Sequence, residues 1–141
     1  MTGEVEPISY EPPYGAMTVG YRRSARGFEY LLLHRRFEAA HQGDWAWDPP
    51  AGNRLSGKDA DVCAARELLE ETGLGPAVRR ADVASSDWLI YLAEAAPDAI
   101  PRLSQEHDRY VWLPLDRAAE CVLPERVRRS LVEAAGSLGV E

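Results

Sequence analysis

The run from Ala60 to Thr72, ADVCAARELLEET, followed by Gly73, constrains this chain more than any other stretch. It is rich in strong helix formers. Asp59 or Asp61 stands where an N-cap is needed, and Gly73 supplies the left-handed residue that ends a helix. On such a helix, positions three and four apart share a face, so Glu67, Glu70 and Glu71 converge, with Glu67 one turn below the pair. Val62, Ala65 and Leu69 form a roughly opposite apolar stripe, expected to bury against a sheet. Like charges at i,i+4 cost about 0.2–0.5 kcal/mol, and these carboxylates stand at the helix end where the macrodipole disfavours anions. Charge set against local physics often marks a working site. Hard oxygen donors at this density suit Mg2+ or Mn2+. A solvated acidic face would give the same string, so the helix does not decide alone.

The remaining composition narrows the field. A chain of 141 residues, 45% hydrophobic and 28% charged, has the length and balance of one globular domain. No apolar run is long enough to span a bilayer, so no membrane association is expected. The N-terminal MTGEVEPISYEPPYG lacks the basic and apolar regions of a secretory signal, and a cytoplasmic location is the expectation. Cys63 and Cys121 are too few for a disulfide framework and have no partners at zinc-ligand spacing. A net charge of -7 argues against binding long nucleic acid. A small phosphorylated substrate stays open, because metal ions can stand between carboxylates and phosphates.

Along the chain, residues 1–15 read as an N-terminal arm and residues 16–141 as a single domain. Ala16 to Tyr21 and Phe28 to Arg36 read as a hairpin whose longish turn is RRSARG. FEYLLLHRR has the continuous apolar centre of a strand covered on both faces. The loop-like stretch that follows carries Trp45 and Trp47 in alternation. VRRADVASS, DWLIYLAEA and RYVWLPL read as strands, and Asp116 to Glu120 as one helical turn. PERVRRSLVEAAGSL reads as an amphipathic helix with Pro124 at its first position. This order predicts an α/β (α+β) domain, a sandwich around a mixed sheet.

The stretch from Gly52 to Leu74 resembles the Nudix box: Gly, five residues, Glu, seven residues, then Arg-Glu-apolar-x-Glu-Glu-x-Gly-apolar. Here Gly52 is followed by Lys58 at the first Glu position, then by Arg66-Glu67-Leu68-Leu69-Glu70-Glu71-Thr72-Gly73-Leu74. Trp47-Asp48-Pro49-Pro50-Ala51 resembles the lead into the box. Ser104 to Leu115, with Glu106-His107 and Tyr110-x-Trp112, is similar to a segment of the diadenosine tetraphosphate hydrolase-like branch. The resemblance implies a Nudix-like α/β/α sandwich that hydrolyses a diphosphate linkage in a nucleoside diphosphate derivative, a dinucleoside polyphosphate or nucleoside triphosphate. It implies Mg2+ or Mn2+ held by Glu67, Glu70, Glu71 and the Ala51 carbonyl, with Arg66 orienting Glu67. Glu106 would be a further ligand or the general base, with Glu71 the competing base. By analogy with relatives, a homodimer is also open.

Two departures weigh on that reading. Lys58 reverses a charge that supports the loop in the family; it would weaken the enzyme, be offset by Asp59, or reach a substrate phosphate. The stretch between Gly73 and Trp88 is short where relatives often carry a hairpin that shapes the pocket. These features keep a nucleotide-binding or regulatory module with weak or no catalysis as the alternative. For substrate contacts, Trp45, Trp47, Trp88 and Trp112 are each able to stack on a base or to fill core and loop space, with Trp47 and Tyr110 the preferred candidates, and Arg35 is the candidate for a phosphate. Arg22-Arg23, Arg79-Arg80 and Arg128-Arg129 read as surface charge, and His107, beside Glu106, as a structural hydrogen-bonding residue first and a substrate contact second.

Overall fold

The computed structural model describes residues 9, 11–36, 46–83 and 87–138. Strand β1 (Gly15–Ser24) organises them. It is buried from Gly15 through Tyr21, because its alternating side chains face two different helical layers. β1 pairs antiparallel with β2 (Gly27–Arg35) and with the short β4 (Ala51–Asn53), and parallel with β6 (Trp88–Glu94). β3 (Trp47–Asp48) and β7 (His107–Leu113) pair with β2, and β5 (Arg79–Arg80) pairs with β6. The sheet is therefore mixed.

Helix α1 (Ala60–Thr72) packs on one face, where Cys63 and Ala64 meet Ala16 and Tyr91. Helices α2 (Leu115–Cys121) and α3 (Glu125–Gly136) cover the other. There Ala118, Val122, Leu131 and Ala134 close over Val19, Tyr21, Leu32 and Leu92. This is the α/β/α sandwich expected from the sequence. The centre of β2, Tyr30 to Leu33, is buried on both sides as its apolar run predicts.

Several local expectations are corrected. The hairpin turn is only Ala25–Arg26, since Ser24 pairs with Gly27 and the ladder runs on through the charged residues. Ion pairs make that extension tolerable: Arg22 to Glu29 at 2.8 Å and Arg23 to Glu94 at 2.9 Å. Gly27 takes φ 114°, which a side chain resists. Of VRRADVASS only Arg79 and Arg80 form a strand among the described residues. Pro124 is the N-cap of α3 rather than its first residue. Trp45 and most of the N-terminal arm lie outside the described residues. From that arm, Ser9, Glu11 and Pro13 all accept from the Arg54 guanidinium, at 2.7–3.1 Å.

The face that α1 buries is the main correction. Val62 and Leu69 are 53% and 54% exposed, and Ala65 is exposed too. The buried residues are Cys63, Ala64, Leu68, Glu71 and Thr72. Small Cys63 and Ala64 let the helix approach β1 and β4 closely, which turns the bulkier Val62 and Leu69 outward. Asp59 caps α1 through its backbone geometry alone, and Asp61 accepts a short hydrogen bond from the Tyr91 hydroxyl. Gly73 ends the helix at φ 72°, its N–H donating to the Leu69 carbonyl at 2.8 Å.

Candidate active site

The rotation of α1 carries one glutamate into the interior. Glu71 is 5% exposed and receives the Ala51 N–H at 3.3 Å. Burial, the Glu67 charge and a hydrogen bond to Glu67 push its carboxyl up to about 9, with Glu106 adding to the same effect. Three acidic side chains thus share one electrostatic neighbourhood: Glu67 and Glu71 from α1, and Glu106 from the turn before β7. That turn is fixed by Arg36 at the end of β2, whose N–H meets the Glu106 carbonyl at 2.9 Å and whose Nε meets the Gln105 carbonyl at 2.8 Å.

Glu67 is held from two sides. Arg66 Nη2 donates to its carboxylate at 2.7 Å and to the Asn53 carbonyl at 3.1 Å, so one guanidinium ties α1 to β4. The Glu67 carboxyl also occupies the space a Cβ on Gly52 would need. Only glycine at that position lets the loop backbone come so close. The Cys63 thiol donates to the Asn53 carbonyl at 3.3 Å and closes the same seam.

These groups line a cavity of about 1060 Å³. Arg35, Ala51, Arg66, Glu67, Glu71 and Glu106 all face it, so the structure brings these predicted site residues together. Glu70 stays outside; its side chain is 60% exposed and lies 4.0 Å from Arg66 Nε. Trp47 does not line the cavity. Its ring packs edge-on against His34, with centroids 4.7 Å apart, and beneath Arg109. Tyr110 is exposed on β7, opposite Leu33, and is not a cavity residue either. Lys58 lines a separate hollow of about 330 Å³ with Arg54, Asp59, Asp61 and Arg80.

Residues not chosen as site candidates from the sequence complete the cavity. Asp48 is buried beside Arg35, with 3.8 Å between Oδ2 and Nη2. Burial pushes its carboxyl up to about 7, against the pull of that arginine. Trp88 contributes the aromatic wall, its ring lying where a Cβ on Gly15 would point. From α3 come Arg126, Arg129, Ser130 and Glu133; Arg129 is exposed, as its reading as surface charge expects, and also lines the cavity. His107 is buried with Nδ1 unpartnered, so the expected structural hydrogen bond is not made; burial and Arg35 push the ring down to about 4. Arg35 Nε is likewise buried without a partner. The sequence signal for Asp48 was an acid wedged between Trp47 and two prolines; none of the α3 residues carried one.

The donor set fits a divalent cation. Two carboxyls forced together until one keeps its proton are relieved when a cation takes that proton's place, and oxygen donors of this kind suit Mg2+ or Mn2+. Among the described residues no three His, Cys, Asp or Glu side chains stand ready in metal-binding geometry. Glu70 is the member of the expected set that is turned toward solvent.

Comparison with known proteins places this arrangement. A family model described as the NUDIX domain matches residues 13–133. The asymmetrical bis(5'-nucleosyl)-tetraphosphatase of Rattus norvegicus is 32% identical over 118 residues, covering 74% of this chain and 77% of the relative. An RNA pyrophosphohydrolase of Roseobacter denitrificans is 30% identical over 100 residues, covering 71% of this chain but only 56% of its own length. Among solved structures, a Caenorhabditis elegans Ap4A hydrolase in a binary complex superposes with a TM-score of 0.71 at 24% identity, over 88% of this chain and 96% of that one.

Proposed function

The chain belongs to the Nudix family, and from that premise we propose that it hydrolyses a diphosphate linkage in a nucleoside diphosphate derivative, a dinucleoside polyphosphate first and a nucleoside triphosphate second. The observation that carries the reading is the convergence of Glu67, packed against Gly52, with Glu71 and Glu106 on the wall of one cavity of about 1060 Å³. A volume at the upper end of ligand pockets accommodates a nucleotide with a polyphosphate chain.

Glu67, Glu71 and, once turned inward, Glu70 would hold Mg2+ or Mn2+, with the Ala51 carbonyl beside them. The family generally uses a divalent metal; when bound, it supplies charge against the phosphates and Lewis acidity at phosphorus. Arg66 keeps the Glu67 carboxylate aimed at that point by its 2.7 Å contact. Arg35, with its free Nε at the cavity wall, is placed to meet a phosphate oxygen. Glu106, exposed and held by Arg36, is positioned to take the proton of the attacking water; Glu71 is the second candidate for that proton. Attack at phosphorus breaks one P–O bond of the anhydride and releases two phosphorylated products.

The second reading is a nucleotide-binding or regulatory module with weak or no catalysis, favoured by Lys58 at the box position where the family carries glutamate. One experiment separates the two. The protein is incubated with Mg2+ or Mn2+ and a panel of dinucleoside polyphosphates and nucleoside triphosphates, and mononucleotide or phosphate release is measured. Release that stops in chelator and in Glu70→Gln supports the hydrolase. Tight binding without release supports the module.

A further inference from the structure

The cavity has two chemically different walls. One carries the carboxylates of α1 and the turn before β7; the other is α3, which presents Arg126, Arg129 and Ser130, with the single carboxylate of Glu133, around a buried Val127. These positions share one helical face, being separated by three and four residues. Arg128, pointing elsewhere, is consumed by Glu125 at 3.2 Å and by the Ala119 carbonyl at 2.6 Å. Arg129 makes no hydrogen bond or ion pair with a described residue, although Glu133 stands one turn away on the same helix. Of the other cavity arginines, Arg66 holds Glu67 and Asn53, Arg126 is engaged as well, and Arg35 lies beside Asp48 with only its Nε unpartnered, at the carboxylate end of the cavity. An uncommitted guanidinium at the wall of a cavity otherwise rich in carboxylates has one obvious complement, an anion brought by the ligand.

We propose that Arg129, assisted by the Ser130 hydroxyl, is a specificity-determining residue that binds a phosphate of the substrate beyond the linkage being cut. The inference rests on the hydrolase reading above and deepens it. The carboxylate wall takes the phosphates flanking the scissile bond, and α3 takes the next one along. A ligand with two phosphates in all leaves α3 empty; one with three or more reaches it. The site therefore selects for phosphate-chain length rather than for the base.

The test uses the full chain in the Glu70→Gln background, so that ligand is not consumed, with Mg2+ present. ADP-ribose, which has two phosphates, and diadenosine tetraphosphate, which has four, are titrated calorimetrically into that protein and into versions also carrying Arg129→Ala or Arg129→Lys. Diadenosine tetraphosphate affinity is expected to fall about tenfold with Arg129→Ala, the loss of one exposed charge-assisted hydrogen bond. Arg129→Lys recovers part of that loss, and ADP-ribose affinity stays within about twofold. Equal affinities for both ligands in all three proteins overturn the proposal. So does an equal loss for both, which would make Arg129 a general electrostatic contributor. Turnover by the otherwise native protein is measured in parallel. If it cleaves no nucleotide, the hydrolase reading fails; if it cleaves them while Arg129→Ala leaves the binding profile flat, only the role of α3 fails.

Discussion

Two adjacent pairs on α1 show how far burial alone separates identical side chains. Leu68 is 1% exposed and Leu69 is 54% exposed. Glu71 is buried with a carboxyl pushed up to about 9, whereas the Glu70 side chain is 60% exposed and reaches only toward Arg66. One peptide step rotates a helix by about a quarter turn, enough to move a residue from the sheet to the solvent. The interior face of this helix is thus half structural and half chemical: Cys63, Ala64 and Leu68 fasten it, and Glu71 is carried inward with them.

The sharpest way to break that contrast is Glu71→Gln. Turnover is expected to fall about a thousandfold, as for loss of a metal-holding group. Stability measured in chelator should not fall with it. The Glu71 carboxyl keeps in the folded state, up to about pH 9, a proton that the unfolded chain releases near 4.5. Native protein therefore binds more protons than unfolded protein between those values, and stability declines as pH rises through that window before levelling off. Glutamine has no proton to lose, so the thermal midpoint of Glu71→Gln should decline less with pH; a slope equal to that of the parent would mean the pair is not proton-sharing.

Leu68→Ala and Leu69→Ala test the fastening half. The buried leucine should cost about 2–5 kcal/mol in urea unfolding and its exposed neighbour within about 0.5. Comparable losses would mean that α1 is seated on a different face. Gly52→Ala probes the junction between the halves. The new methyl overlaps the Glu67 carboxyl, a movable side-chain end, so the stability cost is modest while that carboxylate is displaced. A drop of about a hundredfold in kcat with a small change in thermal midpoint is expected. The smallest effect is Lys58→Glu, which restores the family's charge. A rise of about two- to threefold in metal-dependent turnover is expected, and an unchanged rate would make the position neutral here.

Much of this was legible before any coordinates. The helix limits, its glycine stop, the order of the long strands and the sandwich followed from periodicity and capping signals, and the box pointed to Glu67, Glu71 and Arg66. The buried face of α1 was not legible. Counting apolar residues favours Val62, Ala65 and Leu69, and no such count anticipates a carboxyl that goes inside by keeping its proton. The contribution of α3 was hidden for another reason. Arg126 and Arg129 look like the solvated side of an amphipathic helix, and only the fold brings that side opposite residues far away in sequence. Trp47 and Tyr110 failed to reach the cavity because strand alternation turns them elsewhere, while Trp88, at the start of β6, reaches it.

The parallel alignment of β1 with β6 has a consequence for how the molecule is made. Gly15 pairs with Trp88 and Tyr21 with Glu94, so the whole stretch that carries β4 and α1 is a single excursion between neighbouring strands. A nascent chain presents one open flank of β1 until Glu94 has emerged, and closing that gap demands a long-range contact with its loop-entropy cost. A chain cut short before β6 would retain Glu67, Glu70 and Glu71 on a sheet with a bare central edge, a species built to aggregate rather than to work.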